Sequence, residues 1–235
     1  MTDHQPPVGR ADQLIARDIA CIRGGRLLFA GLGFTLAPGG VMLLAGPNGI
    51  GKSSLLGILA GLAPPAAGSV ELPTDTGRIA YLGHGDGLKP LATVAETLAF
   101  WAAVNGPGDP QARRQAIEEA MEAFALGPLA ALPCRYLSAG QRRRVALGRV
   151  MASAARLWLM DEPATALDGA GTRAFDHALA GHIAAGGMAV VATHAPIALD
   201  GDAGGVETLE IARFAGTAPR FADPDTWGLS VDQDP

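Results

Sequence analysis

The sequence predicts an α/β fold: a mostly parallel core sheet, with an N-terminal antiparallel β subdomain and a helical subdomain inserted partway along the chain. Three observations predict it. The short apolar runs Val41-Met42-Leu43-Leu44-Ala45, Leu157-Trp158-Leu159-Met160 and Met188-Ala189-Val190-Val191-Ala192 have the pattern of strands buried on both faces. These runs alternate with helical stretches, as the crossovers of a parallel sheet require. The stretch from Pro90 to Ala152 reads as almost wholly helical, so it is taken as the inserted subdomain.

In chain order, Met1 to Pro7 carries no apolar stretch and does not read as a signal peptide. Leu14 to Arg23 and Leu27 to Leu36 read as two strands around Gly24-Gly25. Pro38-Gly39-Gly40 is a turn into the strand Val41 to Ala45. Gly46 to Gly51 is a loop, and Lys52 to Leu62 is helix-like. Ile79 to Leu82 is a further strand. A helix is expected over Thr93 to Asn105, where Thr93 and Glu96 have the spacing of a capping box. A second helix runs from Asp109 to Phe124, opened by Asp109-Pro110, a favourable cap and first position. Ser138 opens a third, through Gln141 to Met151. One domain is therefore expected over residues 1–212, with the helical insertion at about 88–152. The segment 213–235, rich in Pro, Gly and Asp, is expected to be a weakly ordered tail.

Composition narrows the function. Hydrophobic residues make up 49% of the 235, enough for a buried core. The net charge of −5 offers nothing to a phosphate backbone, so nucleic-acid binding is not expected. No run approaches the ~20 apolar residues that cross a bilayer. The longest candidate, Leu55 to Ala63, stops at Pro64-Pro65, so a membrane role must come through a partner, without direct insertion. The two cysteines, Cys21 and Cys134, match no metal-ligand spacing and read as reduced thiols, which suits the cytosol.

The chemistry starts at Gly46-Pro47-Asn48-Gly49-Ile50-Gly51-Lys52-Ser53, with Ser54 behind it. This is the P-loop pattern, in the strand-then-helix context that it needs. Glycines let successive backbone N–H groups converge on phosphate oxygens, and the helix from Lys52 adds its positive end. The Lys52 ammonium is expected on the β- and γ-phosphates of ATP, and the Ser53 hydroxyl on Mg²⁺. A second signal is Leu157 to Met160 followed by Asp161-Glu162, two carboxylates at the carboxyl end of a buried strand. Asp161 can hold Mg²⁺ through water, and Glu162 can orient or deprotonate an attacking water. Read alone, the pair would suit a solvated acidic turn equally well. A third signal is Leu137-Ser138-Ala139-Gly140-Gln141 before Arg142-Arg143-Arg144. A Ser and a Gly at a helix start make another anion cradle, although by itself a capped surface helix with solvated arginines is the better reading. One nucleotide does not need two cradles, so this one is assigned to the γ-phosphate held by another subunit.

Taken together and in this order, the elements resemble the ATPase subunit of ABC transporters over nearly the whole chain. Gly46 to Ser53 resembles its Walker A motif, Asp161 its Walker B aspartate and Glu162 its catalytic glutamate. Leu137 to Gln141 resembles the signature, with Ala139 replacing a Gly; Ala166-Leu167-Asp168 resembles the D-loop. Thr193-His194 resembles the switch histidine, which implies that His194 donates to the γ-phosphate. Two departures stand out. The Gln that usually touches Mg²⁺ is absent, and His84 occupies the equivalent place. The aromatic that usually stacks on adenine is replaced by Arg23, whose planar guanidinium can stack instead.

The run Tyr81 to Lys89, together with Leu137 to Leu147, is similar to the CcmA family, the ATPase subunits of bacterial cytochrome c maturation. That resemblance implies a nucleotide-sandwich dimer with a second copy of this chain and an integral membrane subunit of CcmB type. It also implies a place at the cytoplasmic face of the inner membrane, and work on haem export or release of a haem chaperone. Two other readings stay open at this stage: an ABC ATPase serving a different cargo, and a soluble ATP switch. The acidic charge and single cassette disfavour the second.

Overall fold

The computed structural model describes residues 12–73, 79–198 and 205–215. The N-terminal segment read above as lacking a signal lies outside the described residues. So does the expected tail from 216 on; Arg213 and Phe214 belong to a 3-10 turn, Ile211–Phe214.

Two sheets form. The first is antiparallel: β1 (Leu14–Arg23) pairs with β2 (Arg26–Leu36) on one side and β4 (Ala67–Glu71) on the other. The turn at Gly24-Gly25 joins the first two, both glycines at positive φ. The second sheet has the order β5 (Ile79–Leu82), β6 (Leu157–Asp161), β7 (Met188–Ala192), β3 (Val41–Ala45), β8 (Val206–Glu210), parallel throughout. The expected mixed architecture is therefore present, and sequence reading missed β4 and β8. β4 is an Ala-Gly-Ser-Val-Glu segment with little apolar pattern, and β8 leaves most of its side chains exposed or half-buried at the sheet edge.

The parallel sheet separates two cores, and side-chain alternation shows why continuous apolar runs were needed. Leu157 and Leu159, Met188 and Val190 face the antiparallel sheet and α1 (Lys52–Leu59). Trp158 and Met160, Ala189 and Val191 face the helices on the other side. Every residue of β6 and β7 is buried, as a period-2 strand covered on both faces must be.

α1 ends three residues before the expected Leu62. Gly61, at φ 69°, closes it: Leu62 N–H donates to Gly57 O at 2.9 Å and Gly61 N–H to Ile58 O at 3.0 Å. That is a Schellman cap, and it accounts for the early stop.

The region from Pro90 to Ala152 is three helices with short 3-10 turns between them: α2 (Val94–Asn105), α3 (Pro110–Ala123) and α4 (Ala139–Ala152). Each starts where its cap predicts. Thr93 and Glu96 bond reciprocally at 2.8 and 3.1 Å, and Asp109 accepts from Ala112 N–H at 2.7 Å. Ser138 and Gln141 form a second reciprocal box at 2.9 and 3.2 Å. α5 (Gly169–Ala184) was not expected from its Ala- and Gly-rich sequence; Asp168 caps it, accepting from Gly171 N–H at 2.7 Å. Both cysteines are buried and free. No helix among the described residues is long and apolar enough to cross a membrane.

Candidate active site

Four neighbouring parallel strands, β5, β6, β7 and β3, deliver their carboxyl ends to one place. β3 runs into the loop Gly46–Gly51, β6 ends on Asp161, and His84 and His194 each follow a strand by two residues. A cavity of about 450 Å³ opens there, lined by Asn48, Gly49, Gly51, Lys52, Ser53, Ser54, His84, Asp161, Glu162 and His194, with Leu28 from β2. Residues 146 positions apart in sequence touch across it, since His194 Nε2 lies 3.0 Å from Asn48 Oδ1.

The loop geometry follows from its glycines. Gly51 sits at φ 116°, and a Cβ there would come within 2.8 Å of the Phe29 ring, so no side chain fits. Gly51 precedes α1 and supplies no side-chain cap. Each of the other α-helices among the described residues is capped by Thr93, Asp109, Ser138 or Asp168. The first-turn N–H groups of α1 are thus left for an anion, which the positive helix end also favours.

Lys52 is 7% exposed; its Nζ donates to Gly46 O at 2.6 Å and Pro47 O at 3.3 Å and lies 3.1 Å from His194 Nε2. An ammonium only donates, so the 3.1 Å contact needs a lone pair on Nε2, whereas Asn48 Oδ1 asks the same atom for a proton. One nitrogen cannot serve both, and the ring state decides which contact is a hydrogen bond.

Glu162 stands at φ 49°, a left-handed conformation rare for residues other than glycine. Its N–H donates to Ala192 O at 2.7 Å, and its Oε2 accepts from His194 N–H at 3.4 Å. Oε1 lies 3.7 Å from His194 Nε2. The carboxylate of Asp161 is buried, at 4% exposure, and its charge reaches Tyr81. Burial first, and then that charge, push the Tyr81 phenol above its ordinary range.

The expected Mg²⁺ ligands give oxygen donors, the Ser53 hydroxyl and the Asp161 carboxylate, within one cavity. Among the described residues, no three His, Cys, Asp or Glu side chains are placed to hold a metal ion by themselves. The donor set fits a hard cation held by one or two protein groups with phosphate and water completing its shell.

Other expected site residues lie elsewhere. Arg23 ends β1, is exposed and does not line the cavity. The Ser138-Ala139-Gly140-Gln141 turn is also off the cavity wall. There the Ser138 hydroxyl oxygen accepts from Gln141 N–H, which leaves its own proton free. A Cβ on Gly140 would come within 2.8 Å of Ala166 O, so the close approach at this glycine is to the same chain's Ala164–Asp168 turn. Asp168 spends its carboxylate on capping α5.

Sequence reading missed Arg143. Taken with its neighbours as a solvated face, it is 3% exposed and binds the backbone beneath Asp161 and Glu162. A signal existed: Arg143, Ala146, Leu147 and Val150 fall on one helical face, and all are buried. Leu28 was missed too, because a half-buried strand leucine carries no chemical mark.

Comparison with known proteins agrees with this architecture. The family model described as ABC transporter matches residues 29–165. The cytochrome c biogenesis ATP-binding export protein CcmA of Paramagnetospirillum magneticum is 46% identical over 209 residues, 85% of this chain and 94% of that protein. Its namesake in Rhodospirillum rubrum is 49% identical over 193 residues, 78% and 81% of the two chains. Among solved structures, an ATP-binding subunit of an ABC transporter superposes with a TM-score of 0.71 at 20% identity, over 77% of this chain and 79% of its own. A dimeric ATP-binding cassette in a post-hydrolysis state with ADP and phosphate gives 0.67 at 24%, over 77% and 88%.

Proposed function

Because this chain belongs to the ABC transporter family, and within it to the CcmA group of cytochrome c biogenesis ATP-binding export proteins, we propose that it hydrolyses ATP to drive a membrane partner in cytochrome c biogenesis. One observation carries the reading: Lys52, Ser53, His84, Asp161, Glu162 and His194 line a single cavity at the carboxyl ends of adjacent parallel strands. That is where open α/β sheets bind ligands.

The roles follow from chemistry and position. The first-turn N–H groups of α1 and the Lys52 ammonium bind and orient the phosphates. Ser53 and Asp161 would hold Mg²⁺, with His84 reaching a metal-bound water; the ion supplies charge neutralisation at the phosphate oxygens. Glu162 takes the proton of the attacking water, and His194 donates to the γ-phosphate. The Ser138–Gln141 turn lies off this wall and keeps a free hydroxyl proton, which supports its use on the nucleotide of a second copy packed head to tail. Asp168, in the adjoining turn, belongs to the same dimer surface. Loss of the γ-phosphate contact would then loosen the dimer and give the mechanical output.

The partner is read as an integral membrane subunit of CcmB type, with this chain at the cytoplasmic face of the inner membrane. The loop of His84 borders the cavity and continues through Gly87 and Lys89 into a groove of about 340 Å³ with Glu96, Phe100 and Trp101. Phe100 is 47% exposed and Leu91 73%, which supports this face as the docking surface. The deciding experiment is Glu162→Gln in the full chain. Removing a general base costs ~10²–10⁴-fold in kcat, and the variant should still bind ATP and accumulate as a nucleotide-dependent dimer. Normal turnover would refute the assignment of the base.

A further inference from the structure

Arg143 is the most fully engaged cation of the described molecule, and neither the P-loop nor the Ser138 turn accounts for it. A guanidinium carries five N–H donors in a rigid plane. Here Nε donates to Pro163 O at 3.1 Å, and Nη1 donates to Gly83 O at 3.4 Å and Asp86 Oδ1 at 3.2 Å. Nη2 donates to Asp161 O at 2.8 Å and Glu162 O at 2.5 Å. No donor is left over, and the residue is 3% exposed.

We propose that Arg143 is a positioning residue for the hydrolytic step: it fixes the backbone that aims Glu162 at the cavity and ties that backbone to the His84 loop and to the helix that opens at Ser138. The proposal rests on Glu162 being the base. Three consecutive carbonyls, from Asp161, Glu162 and Pro163, turn toward one side chain. Glu162 can present its carbonyl this way while holding φ at 49°, a state that persists only when its surroundings over-determine it. Arg143 grips the carbonyl side, and Ala192 O takes the Glu162 N–H at 2.7 Å on the other. The carboxylate is thereby held where Oε2 meets His194 N–H.

Stability alone is a poor reason for this arrangement. Its one carboxylate partner, Asp86, is a quarter exposed and also faces Arg142 at 3.9 Å. Replacing a whole buried ion pair by packed apolar residues is often neutral or stabilising, so such a pair is weak evidence for a stabilising role alone. The two groups bridged, the Asp161–Pro163 backbone and the Gly83–Asp86 loop, both carry residues of the nucleotide cavity. Lysine cannot substitute: its three donors leave from one point and cannot fork to atoms on two segments.

The test compares Arg143→Lys and Arg143→Gln with the wild-type full chain, using ATP with Mg²⁺ for turnover and a fluorescent ATP analogue for binding. Arg143→Lys keeps the charge, and Arg143→Gln keeps amide donors, so one can serve where the other fails to fold. The expected result is a kcat at least about tenfold lower, with KM and analogue affinity within about twofold, measured below the melting transition of each variant, which the lost buried hydrogen bonds also lower. In a Glu162→Gln background, Arg143→Lys should lower the residual rate no further, because the two act as one unit. Wild-type kcat in the variants would overturn the proposal. So would a loss of analogue affinity as large as the loss in kcat, which marks a purely structural residue. A full additional loss in the Glu162→Gln background would place the action of Arg143 elsewhere and overturn it too. The underlying reading fails separately: it is Glu162→Gln alone, with Arg143 intact, that would then turn over normally.

Discussion

His194 meets Lys52, Asn48 and Glu162 within 3.7 Å, so one ring ties the phosphate loop to the carboxylate at the end of β6. Lys52→Ala is expected to weaken nucleotide binding, since it removes the cation from the site; unchanged affinity by equilibrium titration would remove the phosphate-loop reading. Arg23 is subtler. It is exposed at the end of β1 and does not line the cavity, so its use on adenine rests on the planar guanidinium alone. Arg23→Ala should therefore raise KM for ATP more than it lowers kcat, and equal KM values would show that it does not stack on adenine. At this scale the sequence was informative wherever chemistry demands a fixed residue type at a fixed spacing. Lys52, Asp161, Glu162 and His194, read from the sequence as one site, line one cavity. Arg143 was not legible, because a run of three arginines looks the same whether one or none points inward, and only the helix phase separates them.

At the scale of elements, caps and turns explain most of what was read correctly. The Thr93–Glu96 box fixes the start of α2, and its hydrogen bonds hold the Glu96 carboxyl below the ordinary glutamate value. Thr93→Ala should cost about 1 kcal/mol of stability by chemical denaturation. Equal stability would mean that the box is not formed. α5 is anchored differently, by His182 stacked on Trp158 at 3.9 Å and 7° between planes. Burial lowers the His182 pKa from 6.5 to about 4, although hydrogen bonds to the Met188 and Arg156 backbone work in the opposite direction. The unfolded chain therefore takes up a proton in this window and the folded one does not. Stability from this group is complete above the unfolded value and falls as pH drops from 6.5 toward 4, by roughly 3 kcal/mol over the whole interval. His182→Gln should flatten that part of the profile in melts at stepped pH; identical slopes would refute the assignment. The strands β4 and β8 escaped sequence reading because small and polar residues carry no periodic apolar signal, whereas α5 did carry one, with Phe175, Ala178, Leu179 and Ile183 buried at helical spacing among Ala and Gly.

At the scale of the whole molecule, the proposed site is incomplete in one chain, since the Ser138 turn lies off the cavity that holds Lys52. Mixing Lys52→Ala protomers with protomers bearing Ser138→Arg should restore ATPase activity that neither has alone. A head-to-tail heterodimer pairs one intact loop with one intact turn. Failure to complement, with both variants folded and able to form mixed dimers, would count against a shared site. The amino-acid sequence by itself determined the parallel core, the phosphate loop, the carboxylates that end β6 and the cap of each of the first three long helices. Those features depend on neighbours within a few residues, or on a strand being covered on both faces, and each leaves a local mark. Only the tertiary structure decided that Arg143 turns inward to the Asp161–Pro163 backbone, that Gly140 packs on Ala166, and that Arg23 stands apart from the cavity. Those outcomes depend on which distant segments share a space, and local spacing cannot encode that.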